Sequence, residues 1–209
     1  MKMLVALLGL ALVFVSPAAR ASEPVDMLLV LAADVSRSVT DPKFRLQREG
    51  AAAAITHPDV VRAITSGPNR RIAVCFVEWA SANMQKVVID WMVIGDGDSA
   101  RRFGDRLVET PRSFAGSTSI SAAIDFAMGQ FERAPFVSDR RVIDVSGDGN
   151  NIGGRPVTDA RDDPLQTVAH GGSAAAQAAA GRRTSPPTGA RAMKSNVGGI
   201  DRILRIVIG

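Results

Sequence analysis

A single cysteine and two histidines leave little room for thiol or imidazole chemistry in this sequence. Cys75 sits in the apolar run Ile72-Ala73-Val74-Cys75-Phe76-Val77, where a thiol behaves as a small hydrophobe. One cysteine forms no internal disulfide, so the fold rests on its core without staples. His57 and His170 lack a companion at ligand spacing and read as surface residues rather than zinc ligands. No Gly-x-Ser-x-Gly elbow and no Cys/His pairing appears, which removes the commonest nucleophile arrangements. Long apolar stretches are scarce too. The one unbroken run, Met3 to Val15, has 13 residues, too few for a comfortable membrane span. With Lys2 before it and Ala19-Arg20-Ala21 after it, the run has the layout of a secretory signal peptide. Residues 1–21 therefore read as a leader, with a mature start at Ser22 and an exported, periplasmic or secreted destination.

The net charge of +4 invites a nucleic-acid reading, but the charge is unevenly placed. From Pro164 onward there are six basic residues and one acid, a surplus of +5. Residues 1–163 then carry −1, and residues 22–163, without Lys2 and Arg20, carry −3. No aromatic residues are interleaved with the basic tail for stacking on bases, so nucleic acid is not an expected partner.

What remains reads as alternating strands and helices. Val25 to Ala33 is apolar apart from Asp26, the signature of a strand buried on both faces. Asp41-Pro42 predicts a helix start with Asp41 as N-cap. Arg71 to Trp79 predicts a second strand and Met84 to Ile94 a third, antiparallel because its connection is short and at an edge because it is interrupted by Gln85, Lys86 and Asp90. Asp98 is a candidate cap for the next helix. Ile120, Ala123, Ile124, Ala127, Met128 and Phe131 share one helical face, and Arg141 to Val145 predicts a fourth strand. The expectation is a three-layer, Rossmann-like α/β domain over residues 22–163, with helices on both faces of a mostly parallel sheet and one antiparallel edge strand. Residues 164–209 are Ala/Gly/Pro/Arg-rich with no apolar period and read as a degenerate or disordered tail, out of frame or truncated relative to its relatives; only Ile203 to Ile208 looks like a strand.

Against this frame one stretch carries chemistry. Asp34-Val35-Ser36-Arg37-Ser38 ends the first strand with a carboxylate and two hydroxyls on alternate residues, which in extended backbone point one way. Hard oxygen donors without thiol or imidazole suit a small hard cation such as Mg2+. Gly116-Ser117-Thr118-Ser119 adds hydroxyls before the amphipathic helix, and Ser146-Gly147-Asp148-Gly149 adds a carboxylate after the fourth strand. Asp34 and Asp148 thus both fall at carboxyl ends of strands, where open α/β sheets bind ligands. Two other motifs fail on their own terms. The EF-hand-like start at Asp144 has Arg155 at its twelfth position instead of Glu, and Gly147-x-Gly149 has Ile152 at the third glycine position of a dinucleotide fingerprint.

The order Asp-x-Ser-x-Ser, Gly-x-Thr, strand-Asp-Gly resembles the von Willebrand factor type A domain over residues 25–163. Val77-Glu78-Trp79 and the run Arg141 to Gly149 look closest to an exported bacterial subfamily without an assigned role. The resemblance implies a metal-ion-dependent adhesion site made by Asp34, Ser36, Ser38, Thr118 and Asp148, holding Mg2+ (with Mn2+ or Ca2+ as alternatives) and leaving one position for an Asp or Glu of a protein partner. The expected role is binding without catalysis. A metal-dependent hydrolase on the same cluster and an inactive, truncated product stay open as alternatives.

Overall fold

The computed structural model describes residues 22–162 and 202–208. Residues 1–21, read above as a leader, and residues 163–201 and 209 of the expected tail lie outside the described residues. The centre is β2 (Leu28–Asp34), whose side chains alternate between two apolar layers. Leu28, Val30 and Ala32 join one layer, Leu29, Leu31 and Ala33 the other, the period of two expected of a strand covered on both faces. It pairs in parallel with β3 (Ile72–Trp79) on one side and β6 (Arg141–Gly147) on the other. Outside β3 lies β4 (Gln85–Ile94), antiparallel and at the edge as expected.

Helices α1 (Asp41–Thr56), α2 (Pro58–Ile64) and α3 (Gly97–Glu109) cover one face, with Ile55, Ile64, Ala100, Phe103 and Leu107 in its core. The opposite face takes α4 (Ile120–Glu132) and α5 (Val157–Asp162), through Ala123, Ile124, Ala127, Phe131 and Ala160. Burying a side chain the size of Phe103 contributes about 2–3 kcal/mol. A short parallel pair, β1 (Glu23–Pro24) with β5 (Phe136–Val137), forms apart from the main sheet.

The three-layer α/β expectation holds, with three corrections. The sheet has two antiparallel edges, not one: β7 (Arg202–Ile208) pairs antiparallel with β6, Arg202 opposite Gly147 and Ile208 opposite Arg141. It starts beside the carboxyl end of β6 and so must run back down; a strand-like hexapeptide alone carries no direction. The cap of α1 is Thr40, not Asp41, which lies in the first turn with Pro42. The cap of α3 is Asp96, not Asp98: its carboxylate accepts from Ser99 N at 2.7 Å while Ser99 Oγ accepts from Asp96 N at 3.1 Å, a reciprocal capping box. The order β4-β3-β2-β6-β7 makes the chain step from β2 to β3 on one side and later to β6 on the other. The crevice between the carboxyl ends of β2 and β6 is thus the switch point where such sheets receive ligands.

Candidate metal centre

Asp34 and Ser36 meet at that crevice because the chain turns, not because it stays extended. Strand β2 ends at Asp34, whose Oδ1 accepts from Ser36 N at 2.7 Å, and Val39 N donates to Ser36 O at 3.0 Å. The Asx-type turn replaces the alternation read from sequence, since a short carboxylate captures the amide two residues on. It brings Ser36 Oγ to 3.0 Å from Ser38 Oγ, and Ser38 Oγ donates to Asp148 Oδ1 at 2.6 Å. Four of the five expected residues therefore form one hydrogen-bonded chain across β2 and β6. Thr118 is brought against the same strand end: a Cβ on Gly149 would lie 3.3 Å from Thr118 Oγ1.

The Thr118 loop is held from several sides. Arg37 N donates to Gly116 O at 2.9 Å, Ser119 N to Ala80 O at 2.8 Å, and Ile152 N to Thr118 O at 2.8 Å. Asn151 supplies the cap that Ser119 does not, its Oδ1 accepting from Ile120 N at 2.8 Å. Gly147 allows the closest approach. A methyl there would stand 3.1 Å from both Asp34 Oδ2 and the Trp79 ring, a tight contact that glycine avoids where β6 lies against Asp34.

The electrostatics are uneven. Asp34, Ser36 and Thr118 are buried. Asp34 Oδ2 is a buried oxygen with no hydrogen-bond partner. Burial, and to a smaller degree the charge of Asp148, push the Asp34 carboxyl above its ordinary range despite the Ser36 amide. Burial also works against ionisation of Asp148, but the Lys43 and Ser38 hydrogen bonds and the Lys43 charge outweigh it and hold that carboxyl below its usual range. Lys43 Nζ lies 2.7 Å from Asp148 Oδ2.

Among the described residues no three of His, Cys, Asp and Glu gather as metal ligands, so any cation site here depends on hydroxyls beside two carboxylates. The donors fit a hard cation: all are oxygens, two are carboxylates, and the buried Asp34 Oδ2 faces the glycine end of β6 without a proton to accept. Ser117 is tied elsewhere, its N–H donating to Ser81 Oγ at 2.8 Å. His57 caps α2, its Nδ1 accepting from Asp59 N at 3.2 Å, and Cys75 is buried with its thiol pushed up to about 12 by desolvation.

Sequence reading missed the supports beneath the site. Arg48 and Glu78, both buried, form an ion pair at 2.5 Å; Glu78 Oε2 also accepts from Ser113 N at 2.8 Å. The Arg48 guanidinium stacks between Phe44 and Phe76, at 5.1 and 4.4 Å from their ring centres. Gln47 reaches Ser146 Oγ at 3.0 Å. A signal for the pair was present: an acid inside the fully buried run of β3 demands a partner. No described helix is long and apolar enough to cross a membrane.

Among solved structures, similar chains include the pilus adhesin SpaC from Lactobacillus rhamnosus GG (15% identity, TM-score 0.37, 56% of this chain and 16% of that one). The von Willebrand factor domain of the type V pili tip protein Mfa5 from Porphyromonas gingivalis is another (11% identity, TM-score 0.36, 57% of this chain and 36% of that one). The chain thus spans well under half the length of these proteins. No curated protein matches it. The α/β architecture, with the motif loops at the neighbouring ends of β2 and β6, agrees with the fold that the von Willebrand type A resemblance implies. A family profile matches residues 24–170, and the chain belongs to the family described as "Protein of unknown function (DUF1194)".

Proposed function

We propose that this protein is an exported, adhesion-type binding module that engages a partner protein through a divalent cation. Asp34, Ser36, Ser38, Thr118 and Asp148 would hold Mg2+, with Mn2+ or Ca2+ as alternatives. The observation that carries the reading is the hydrogen-bonded run from Asp34 through Ser36 and Ser38 to Asp148, with the Thr118 hydroxyl beside Gly149 and Asp34 Oδ2 buried without a hydrogen bond. A cation of this kind takes about six oxygens, more than five residues donating one each, so a coordination position is left for an outside ligand.

The chain's own residues favour a carboxylate in that position. Three of the five donors are neutral hydroxyls, which answer none of a cation's charge. A divalent cation held there would supply a Lewis-acidic centre bounded mostly by neutral oxygens. The deep placement of Asp34 keeps water from screening it, while exposed Ser38 marks the side open to a partner. Export rests on the leader-like residues 1–21.

The test is a peptide array carrying Asp- and Glu-containing sequences beside their Asn and Gln counterparts, probed with the protein in Mg2+ or in EDTA. Binding confined to acidic peptides, lost in EDTA and lost in Asp34→Ala, is the expected result. Acidic peptides bound equally in EDTA, or by Asp34→Ala, would overturn the reading.

A further inference from the structure

We propose that Lys43 is a built-in competitor for the cation site, an internal ammonium that occupies Asp148 until a divalent cation displaces it. The inference rests on the divalent-cation reading of the site. Lys43 is the third residue of α1, in the first turn, where the helix dipole disfavours positive charge. An ammonium placed there needs a compensating anion, and its Nζ lies 2.7 Å from Asp148 Oδ2. With Ser38 Oγ on Oδ1 at 2.6 Å, both oxygens of Asp148 are engaged. Asp34 Oδ2, in the same cluster, is left without a hydrogen bond.

The two carboxylates differ in what they offer an incoming cation. Asp34 is buried and open at one oxygen; Asp148, with its side chain 6% exposed, is already satisfied by a charge and a hydroxyl. Lys43 supplies the counter-charge that two neighbouring carboxylates need in the absence of metal, because like charges close together in a poorly solvated place repel. A divalent cation that takes an Asp148 oxygen must displace this ammonium or sit beside it against like-charge repulsion. Displacement is feasible because the Lys43 side chain is 40% exposed and carries a flexible stem into water. Metal binding is then an exchange of one cation for another. It is weaker than the five oxygen donors alone would give, and the cation-free site stays folded.

Two substitutions in the full chain test this, read by Mg2+ titration calorimetry and by thermal unfolding in EDTA. Lys43→Gln removes the charge but keeps an N–H donor for Asp148; Lys43→Arg keeps the charge. The expected result is a lower melting temperature of Lys43→Gln in EDTA, together with Mg2+ binding tightened about tenfold, or about 1.4 kcal/mol. Lys43→Arg should stay within a few-fold of the parent. Equal or weaker Mg2+ binding by Lys43→Gln, beside a parent that binds, overturns the competitor role and leaves the cation site standing. Absence of Mg2+ binding in all three proteins overturns both.

Discussion

Asp34 is the residue on which stability and the proposed cation binding pull apart. Its carboxylate sits 0% exposed at the end of β2 with one oxygen unpartnered, and burial holds its pKa above the ordinary value. An acid with a raised folded pKa favours the protonated form. It therefore costs stability as pH rises from about 4 through that raised value. Asp34→Asn removes the ionisation while leaving an oxygen to accept from Ser36 N. In EDTA the variant should melt above the parent by the equivalent of about 1 kcal/mol at pH 7, and the difference should shrink toward pH 4. Melting curves at the two pH values check this. A residue kept for structure alone would give the opposite sign, with Asp34→Asn less stable at pH 7.

At the scale of elements, the site is held by an ion pair that lies beneath it. Arg48 of α1 and Glu78 of β3 meet at 2.5 Å, and Glu78 also takes the Ser113 amide at the start of the loop that leads to Thr118. Helix, strand and loop are thus fastened at one buried carboxylate. Glu78→Ala leaves the Arg48 charge buried without its partner, and removal of one member of such a pair costs about 3–5 kcal/mol. Chemical denaturation should show that loss, with Glu78→Gln losing less because it keeps an acceptor for Ser113 N; equal stability of all three proteins would contradict the clamp. This layer was the least legible in the sequence. The apolar period of α4, the buried run of β2 and the short β3–β4 connection each announce their element, because burial and chain length act locally. The oxygen cluster was legible as a motif as well, since Asp34 and Asp148 follow strands and Thr118 precedes an amphipathic helix, in a fixed order. Glu78, inside a buried run, signalled the need for a partner, but the pairings of Glu78, Lys43 and Asn151 were not legible, for their partners lie far along the chain and only the fold brings them together. The direction of β7 was hidden for the same reason.

For the molecule as a whole, the fold and the chemistry point to one end of the sheet. The crevice between β2 and β6 receives the Asp34 turn, the Thr118 loop and Asp148, while the opposite end of the strands carries none of the five donors. The domain reads as a scaffold for one oxygen-lined site, and its residues 22–163 carry −3, which favours attraction of a cation over a polyanion. Three loops building a single divalent-cation site would give one metal-binding stoichiometry and one set of residues on which it depends. This is tested most directly by titrating Mn2+ into the protein and following the loss of the free-ion paramagnetic resonance signal, beside Asp34→Ala and Thr118→Val. One bound ion per chain in the parent, weakened at least tenfold by either substitution, is the predicted result. No bound ion in the parent, or binding that survives both substitutions unchanged, would contradict it.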